Sequence, residues 1–180
     1  MDPRPGSLIR YAAATEVPWR NGGGQTRELH AGAGWRLSVA TISETRDFSE
    51  FPGRDRTLVV GSGRLRLRIG DRGEQWLSVG DRAGFPGEAP VVADPLGGPV
   101  MAVNVMAERA ACTASARVVR LGGAAPSADA VVLLAGRAAL RGEEMHPFDA
   151  VLAPGAGVVR SAGALVLVVS ISLLISEGQS

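Results

Sequence analysis

Apolar and polar residues alternate along short stretches of the chain, with glycine, proline and aspartate between them. The plainest case is "RLRLRIG" (residues 64–70), where Leu65, Leu67 and Ile69 fall on one side and Arg64, Arg66 and Arg68 on the other. A period of two marks a strand with one buried face. The arginine side then reads as the solvated face. With "RTLVVGSG" before it, residues 56–70 read as strand, Gly-Ser-Gly turn, strand. "WRLSVATI" (35–42), "EQWLSV", "PVMAVNVMAE" (99–108), "ARVVRL", "AVVLLAG", "AALRG" and "DAVLAPG" continue the series. The longest apolar run, "ALVLVVSISLLI" (164–175), falls short of the roughly 20 residues of a membrane helix. Its Val, Ile and Leu content reads as a buried strand. Only residues 105–116 offer a helical turn. Many short strands divided by turn residues predict an all-β sandwich or barrel.

A pattern recurs within the series. "GRLRLR" begins at Gly63 and "GRAALR" at Gly136; downstream, "GDRAGFPG" places Asp81 and Pro86, and "FDAVLAPG" places Asp149 and Pro154. Each copy runs into an apolar strand, "PVMAVNVM" or "ALVLVVSI". The repeat predicts two similar β-units in tandem, divided near residues 110–118.

Composition narrows the function. At 180 residues and 46% hydrophobic, the chain suffices for one ordinary core or two small ones. The 19 basic residues, all Arg, nearly balance the 18 acidic ones, so there is no general footprint for nucleic acid. A lone cysteine, Cys112, excludes an internal disulfide and a cysteine zinc site; it fits a reducing cytosol. Cys112 reads as a small buried or loop residue. The N-terminus, "MDPRPGSLIRYAAA", has no basic region followed by an apolar run, so no signal peptide is read.

Familiar catalytic motifs are missing. "NGGGQT" (21–26) has no Lys before its Thr, which a phosphate-binding P-loop requires. "GSGRLR" (61–66) has Arg where a dinucleotide fingerprint needs its third Gly, and a strand rather than a helix follows. His30 and His146 are the only histidines and do not share a metal-ligand spacing. His30 reads as an exposed residue at a strand end and His146 as a loop residue. No metal and no cofactor are expected. No G-x-S-x-G elbow is present.

What remains is "VPWRNGGGQTRELH" (17–30) and a few polar residues on strands. In "QTREL", Thr26 and Glu28 point to one face, Arg27 and Leu29 to the other. A buried Glu28 needs a partner; Arg36 and Arg56 are candidates. Asn104 interrupts an apolar strand, where an amide must find hydrogen bonds. It either fixes strand register or, with Thr26, Glu28 and an Arg, lines a polar pocket.

"VPWRNGGGQTREL", "WRLSVATI", "FSEFPGRDRTLVV", "FPGE" and "NVM" together resemble the HutD/Ves family, strongly so from Val17 to about Met106. The resemblance implies a bicupin: two tandem cupin-like β-barrels of jelly-roll type. An N-terminal unit (1–112) would carry the ligand motifs and a smaller C-terminal unit (113–180) would follow. It implies a bacterial, cytoplasmic small-molecule binder rather than an enzyme. The ligand would be a small anionic metabolite of histidine breakdown, such as urocanate or a formylated glutamate, and binding would modulate histidine utilisation. It leaves a homodimer open. The positions carried over are Trp19, Asn21, Gly22, Gly23, Thr26, Arg27, Glu28, Arg36, Ser38, Arg56 and Asn104. Trp19 would offer a flat face and an Arg a bidentate grip. The alternative is a metal-free isomerase or hydrolase with Glu28 as general acid or base. A third reading, an interaction protein with a vestigial pocket, comes from Ala102, which stands where the family usually has Asp.

Overall fold

The computed structural model describes residues 6–19, 22–155 and 159–174, and among them there is no α-helix. The chain opens with a short strand, β1 (Ser7–Ile9), and a 3-10 turn at Tyr11–Ala13. The first half follows: β2 (Glu16–Pro18), β3 (Gly24–Gly32), β4 (Trp35–Ile42), β5 (Arg46–Asp47), β6 (Arg54–Ser62), β7 (Leu65–Ile69), β8 (Glu74–Leu77), β9 (Arg82–Pro86), β10 (Val91–Pro95) and β11 (Val100–Glu108). The second half comprises β12 (Cys112–Leu121), β13 (Ala130–Ala135), β14 (Ala138–Leu140), β15 (Glu143–Met145), β16 (Ala150–Leu152), β17 (Val159–Ser161) and β18 (Ala164–Leu173). The helical turn expected within 105–116 is a reverse turn, in which the Ala111 N–H donates to the Glu108 carbonyl at 2.9 Å.

Each half is a pair of antiparallel sheets. The first pairs a six-stranded sheet, β2-β3-β4-β11-β6-β9, with a four-stranded one, β5-β10-β7-β8. The second pairs a five-stranded sheet, β1-β16-β13-β18-β12, with a three-stranded one, β15-β14-β17. Among the described residues no strand hydrogen-bonds one sheet of a half to the other. β1 lies far before residue 112, yet Ser7–Ile9 pair with β16 and complete the C-terminal sheet.

Seven strands of the first half recur in the second. β6, β7, β8, β9, β10 and β11 have the same pairings as β13, β14, β15, β16, β17 and β18, and β4 corresponds to β12. The two aspartates of the sequence repeat make the same turn. Asp81 Oδ2 accepts from the Ser78 N–H at 2.9 Å, and Asp149 Oδ2 from the His146 N–H at 3.0 Å. An aspartate is well suited there because its side chain satisfies a backbone donor that the turn leaves free.

Alternation along the strands sorts the core. Leu37, Val39, Val59, Val103 and Val105 face the second half, where they meet Val132, Ala150, Leu167 and Val169. Ile42, Leu58, Val60 and Val100 face the four-stranded sheet and pack on Leu65, Leu67 and Ile69. The six-stranded sheet is therefore covered on both faces. A bulge between Glu28 and His30 adjusts the register, so Leu29 turns into the inter-half core. His30, expected to be exposed, is instead half-buried with its ring 4.3 Å from that of Trp35.

Candidate functional site

The interior face of the six-stranded sheet changes character along its length. Below, it is Ile42, Leu58, Val60, Ala102 and Val100. Above, it is Thr26 and Glu28 on β3, Arg36 and Ser38 on β4, Asn104 and Met106 on β11, and Arg56 on β6. Cross-strand register groups them: Asn104 faces Ser38 on one side and Leu58 on the other, Met106 faces Arg36 and Arg56, and Glu28 faces Ser38. These side chains line a cavity of about 450 Å³. Its remaining walls are Phe48, Ser49 and Phe51 from the β5–β6 connection, and Thr15, Val17 and Trp19 from the segment before β3.

Arg56 forms the floor. It is 6% exposed, and its guanidinium carbon lies 5.1, 5.2 and 5.0 Å from the ring centroids of Phe48, Phe51 and Phe85. It donates to the Ser49 carbonyl at 3.2 Å and to Asn104 Oδ1 at 3.3 Å, both long, while its Nε has no acceptor among the described residues. No carboxylate pairs with it among those residues. Burial, and then the neighbouring charge of Arg36, push its pKa down to about 10. The aromatic rings supply a weak cation–π substitute for a counter-ion. A buried charge left in this condition is costly, and an arriving anion relieves it.

Charge is balanced at the mouth instead. Glu28 Oε2 lies 2.7 Å from Arg36 Nε, with side-chain exposures of 48% and 23%. The N–H is not aligned with that oxygen, so the contact is an ion pair rather than a directed hydrogen bond. Trp19 stands beside them as a wall. Its indole N–H donates to Thr26 Oγ1 at 2.8 Å, and its ring meets Phe48 edge-on at 5.8 Å between centroids.

Seven of the positions singled out in the sequence therefore meet in one cavity: Trp19, Thr26, Glu28, Arg36, Ser38, Arg56 and Asn104. Three others do not line it. Arg27 points to the opposite side of β3, where it pairs with Glu16 at 2.7 Å and stacks over Tyr11. Gly22 and Gly23, both at positive φ, make the turn into β3. The positive φ at Gly23 favours glycine, and a Cβ there would also meet the Arg46 side chain. Asn21 lies outside the described residues. Phe48, Phe51 and Met106 were not singled out in the sequence; the signal for the two phenylalanines was their place in "FSEFPG", among only four Phe in the chain.

The donor set does not suit a divalent metal. The one carboxylate lining the cavity is already paired, no histidine lines it, and its floor is a cation. Among the described residues no three His, Cys, Asp or Glu side chains are grouped to hold a metal ion. Cys112 is buried, with Sγ 3.3 Å from the Gly34 carbonyl. His146 sits at the second-half Asp149 turn, remote in sequence from every cavity residue. No helix among the described residues is long and apolar enough to cross a membrane.

Comparison with known proteins agrees with this architecture. The chain is similar to HutD from Pseudomonas fluorescens SBW25, solved in a formate condition, with a TM-score of 0.79 and 25% identity over 94% of this chain and 99% of that one. It is similar also to a conserved protein of unknown function from Pseudomonas aeruginosa PAO1, with a TM-score of 0.75, 26% identity and the same coverage. Oxalate decarboxylase from Bacillus subtilis shares the cupin fold at a TM-score of 0.66 but only 10% identity, over 97% of this chain and 81% of that one. Among curated relatives, a 21.2 kDa protein from the hutC 3′ region of Pseudomonas putida is 36% identical over 107 residues, which is 55% of this chain and 56% of the relative. Protein Ves of Escherichia fergusonii is 34% identical over 109 residues, again 56% of each. The chain thus spans about half the length of the curated relatives it matches. The HutD family profile matches residues 11–167, nearly all of the two-unit fold and every cavity residue described above, and the chain belongs to the HutD family.

Proposed function

We propose that this protein binds a small carboxylate metabolite of histidine degradation, urocanate or a formylglutamate-like acid, and modulates histidine utilisation through that binding. One observation carries the reading: Arg56 is a buried cation on the cavity floor with three rings around it and no carboxylate partner among the described residues. The ligand carboxylate would take a two-pronged grip on this guanidinium, and such hydrogen bonds are about twice as strong as neutral ones. Asn104 and Ser38 would orient its second oxygen. Trp19, Phe48 and Phe51 would cover a planar or aliphatic body. The Glu28–Arg36 pair would read the polar far end. A relative encoded in a hutC 3′ region supports the pathway assignment.

The enzyme alternative is weaker. A general acid or base at neutral pH needs a carboxyl tuned by enclosure, whereas Glu28 is half exposed and held by Arg36. The vestigial-pocket alternative is weaker too, because the cavity is open rather than filled by side chains. Calorimetry with formate, urocanate, formylglutamate and histidine tests the proposal. Binding of the carboxylates by the wild type and its loss in Arg56→Met is the expected result. Absence of binding by all four, or unchanged binding in Arg56→Met, would overturn it.

A further inference from the structure

One wall of the cavity comes from the segment before β3, of which only the short edge strand β2 belongs to a sheet of the first half. Residues 10–19 run as a strap from the second half to the cavity rim. At the start of the strap, β1 pairs with β16, the Tyr11 N–H donates to the buried Asp149 carboxylate at 2.9 Å, and Arg10 binds the same carboxylate at 2.7 Å. At its end, the Trp19 N–H donates to the Gly24 carbonyl at 3.0 Å and its indole to Thr26. Between these anchors Ala12, Ala13, Thr15, Glu16, Val17 and Pro18 are all exposed. Thr15 and Val17 line the cavity from this stretch.

The middle of the strap hangs largely on one side chain. Arg27 donates to the Ala12 carbonyl at 3.3 Å and the Ala14 carbonyl at 2.8 Å, pairs with Glu16 at 2.7 Å, and lies 5.1 Å from the Tyr11 ring centroid. Among the described residues the other ties are the three residue pairs between β2 and β3, one Gln25–Glu16 hydrogen bond, and the packing of Tyr11 and Ala14 on the inter-half core at the strap's start. Arg27 reaches these acceptors from the face of β3 that does not line the cavity, so it acts on the site only through the strap.

We infer that the strap is a movable wall through which ligand enters and leaves, and that Arg27 is the positioning residue that latches it. The inference rests on the carboxylate-binding reading of the cavity for its ligand, but not for the latch. Local opening of a thinly packed segment is cheap compared with global unfolding, and one forked guanidinium joined to two carbonyls and a carboxylate is a specific closure. Asp149 extends the device into the second half, since it holds the strap's fixed end.

The test is hydrogen exchange of the full chain in wild type, Arg27→Gln, Arg27→Lys and the surface variant Glu16→Gln, with stopped-flow release of urocanate followed by tryptophan fluorescence. In Arg27→Gln, residues 12–18 should exchange about tenfold faster while β4 and β13 keep wild-type protection. Release of urocanate should quicken several-fold with little change in association, roughly as interface variants behave. Glu16→Gln should show a smaller effect in the same direction, and Arg27→Lys should recover only part, because an ammonium cannot span the three acceptors. Unchanged exchange of 12–18 in Arg27→Gln would overturn the latch. Faster exchange with unchanged urocanate release would overturn the gate. If urocanate binds neither wild type nor variant, the reading of the ligand fails; residues 12–18 exchanging no faster than β4 in the wild type would then overturn the movable wall, and faster exchange would support it.

Discussion

The two halves of this protein share one strand plan and differ in what they enclose. In the first half the interior face is apolar below and polar above, with an open cavity over Arg56. In the second, the corresponding strands present Val131, Leu133, Val151, Val166 and Val168 against Ala138, Leu140 and Met145 of the short three-stranded sheet. The difference in wall structure is equally plain. Among the described residues β3, which flanks β4 and carries Thr26 and Glu28, has no counterpart beside β12, and neither has β2. The site is thus a shared frame (Ser38, Arg56, Asn104) plus an added wall (Val17, Trp19, Thr26, Glu28). Where the wall is missing, buried Val168 stands at the position of Asn104, those of Ser38 and Arg56 fall on Arg117 and Asp129, and the interior is closed by aliphatic side chains that stabilise by burial.

This contrast predicts opposite responses to substitution in the two interiors. Arg56→Met should abolish carboxylate binding, a loss of about 2–5 kcal/mol as expected for removing one partner of a buried charged contact. It should not weaken the ligand-free protein. Arg56 has a folded-state pKa lowered by burial, so its charge is a cost to folding below about pH 10, relieved as pH rises through that value. Removing it should leave Tm equal or a few degrees higher, as replacement of buried charge by apolar volume often does. Calorimetry and thermal unfolding on one preparation check both outcomes. Leu133→Ala should do the reverse. Leu133 is fully buried, so the truncation should cost about 2–5 kcal/mol of stability, read by urea unfolding, with affinity per folded molecule unchanged. Weakened binding in Leu133→Ala at full foldedness would show that the second half is coupled to the site.

Much of this division is legible in the sequence. Period-two alternation gave the strands and put Thr26 and Glu28 on one face, because strand geometry alone fixes that phase. Asn104 stood out as a polar residue in an apolar strand and Arg56 as a candidate partner for Glu28, while Ser38 came only with the family resemblance. The tandem repeat was visible because turn chemistry is local: Asp81 and Asp149 each satisfy a backbone donor three residues back. Other parts could not be read. Phe48 and Phe51 lie in an irregular connection without periodicity, and their approach to Arg56 is tertiary. Arg27 was placed correctly on the face opposite Glu28 but grouped with the ligand residues; besides Glu16 its acceptors are two backbone carbonyls, which leave no mark in sequence. β1 is three residues long, too short to show its partner.

The repeated aspartates sharpen the comparison further. Asp81 serves its own turn, whereas Asp149, 2% exposed, also holds Arg10 and the Tyr11 N–H. Asp81→Ala should therefore cost about 1 kcal/mol, an ordinary hydrogen bond. Asp149→Ala should cost roughly 2–3 kcal/mol, because it removes one of the two carboxylates on Arg10 and leaves the Tyr11 and His146 N–H groups without their acceptor. Urea midpoints of the two variants, at equal m-value, measure the difference. Equal losses would mean that the strap's anchor adds nothing to the turn.

The smallest expected effect separates the two arginines of the cavity by pH. The free-state pKa of Arg56 is pushed down to about 10, so its cation is intact through neutrality and half lost at that pH. A bound carboxylate favours the charged form, so the bound-state pKa is higher. By linkage, affinity should be flat from about pH 6 to 9, about twofold weaker at the free-state pKa, and then fall up to tenfold per unit. The measurement is carboxylate affinity against pH in wild type and Arg36→Gln. In that variant the neighbouring charge that helps depress Arg56 is gone, and the alkaline fall should move upward. A fall that stays in place would assign the depression of Arg56 to burial alone, and would make the open, apolar-walled floor of the first half the whole source of its appetite for an anion.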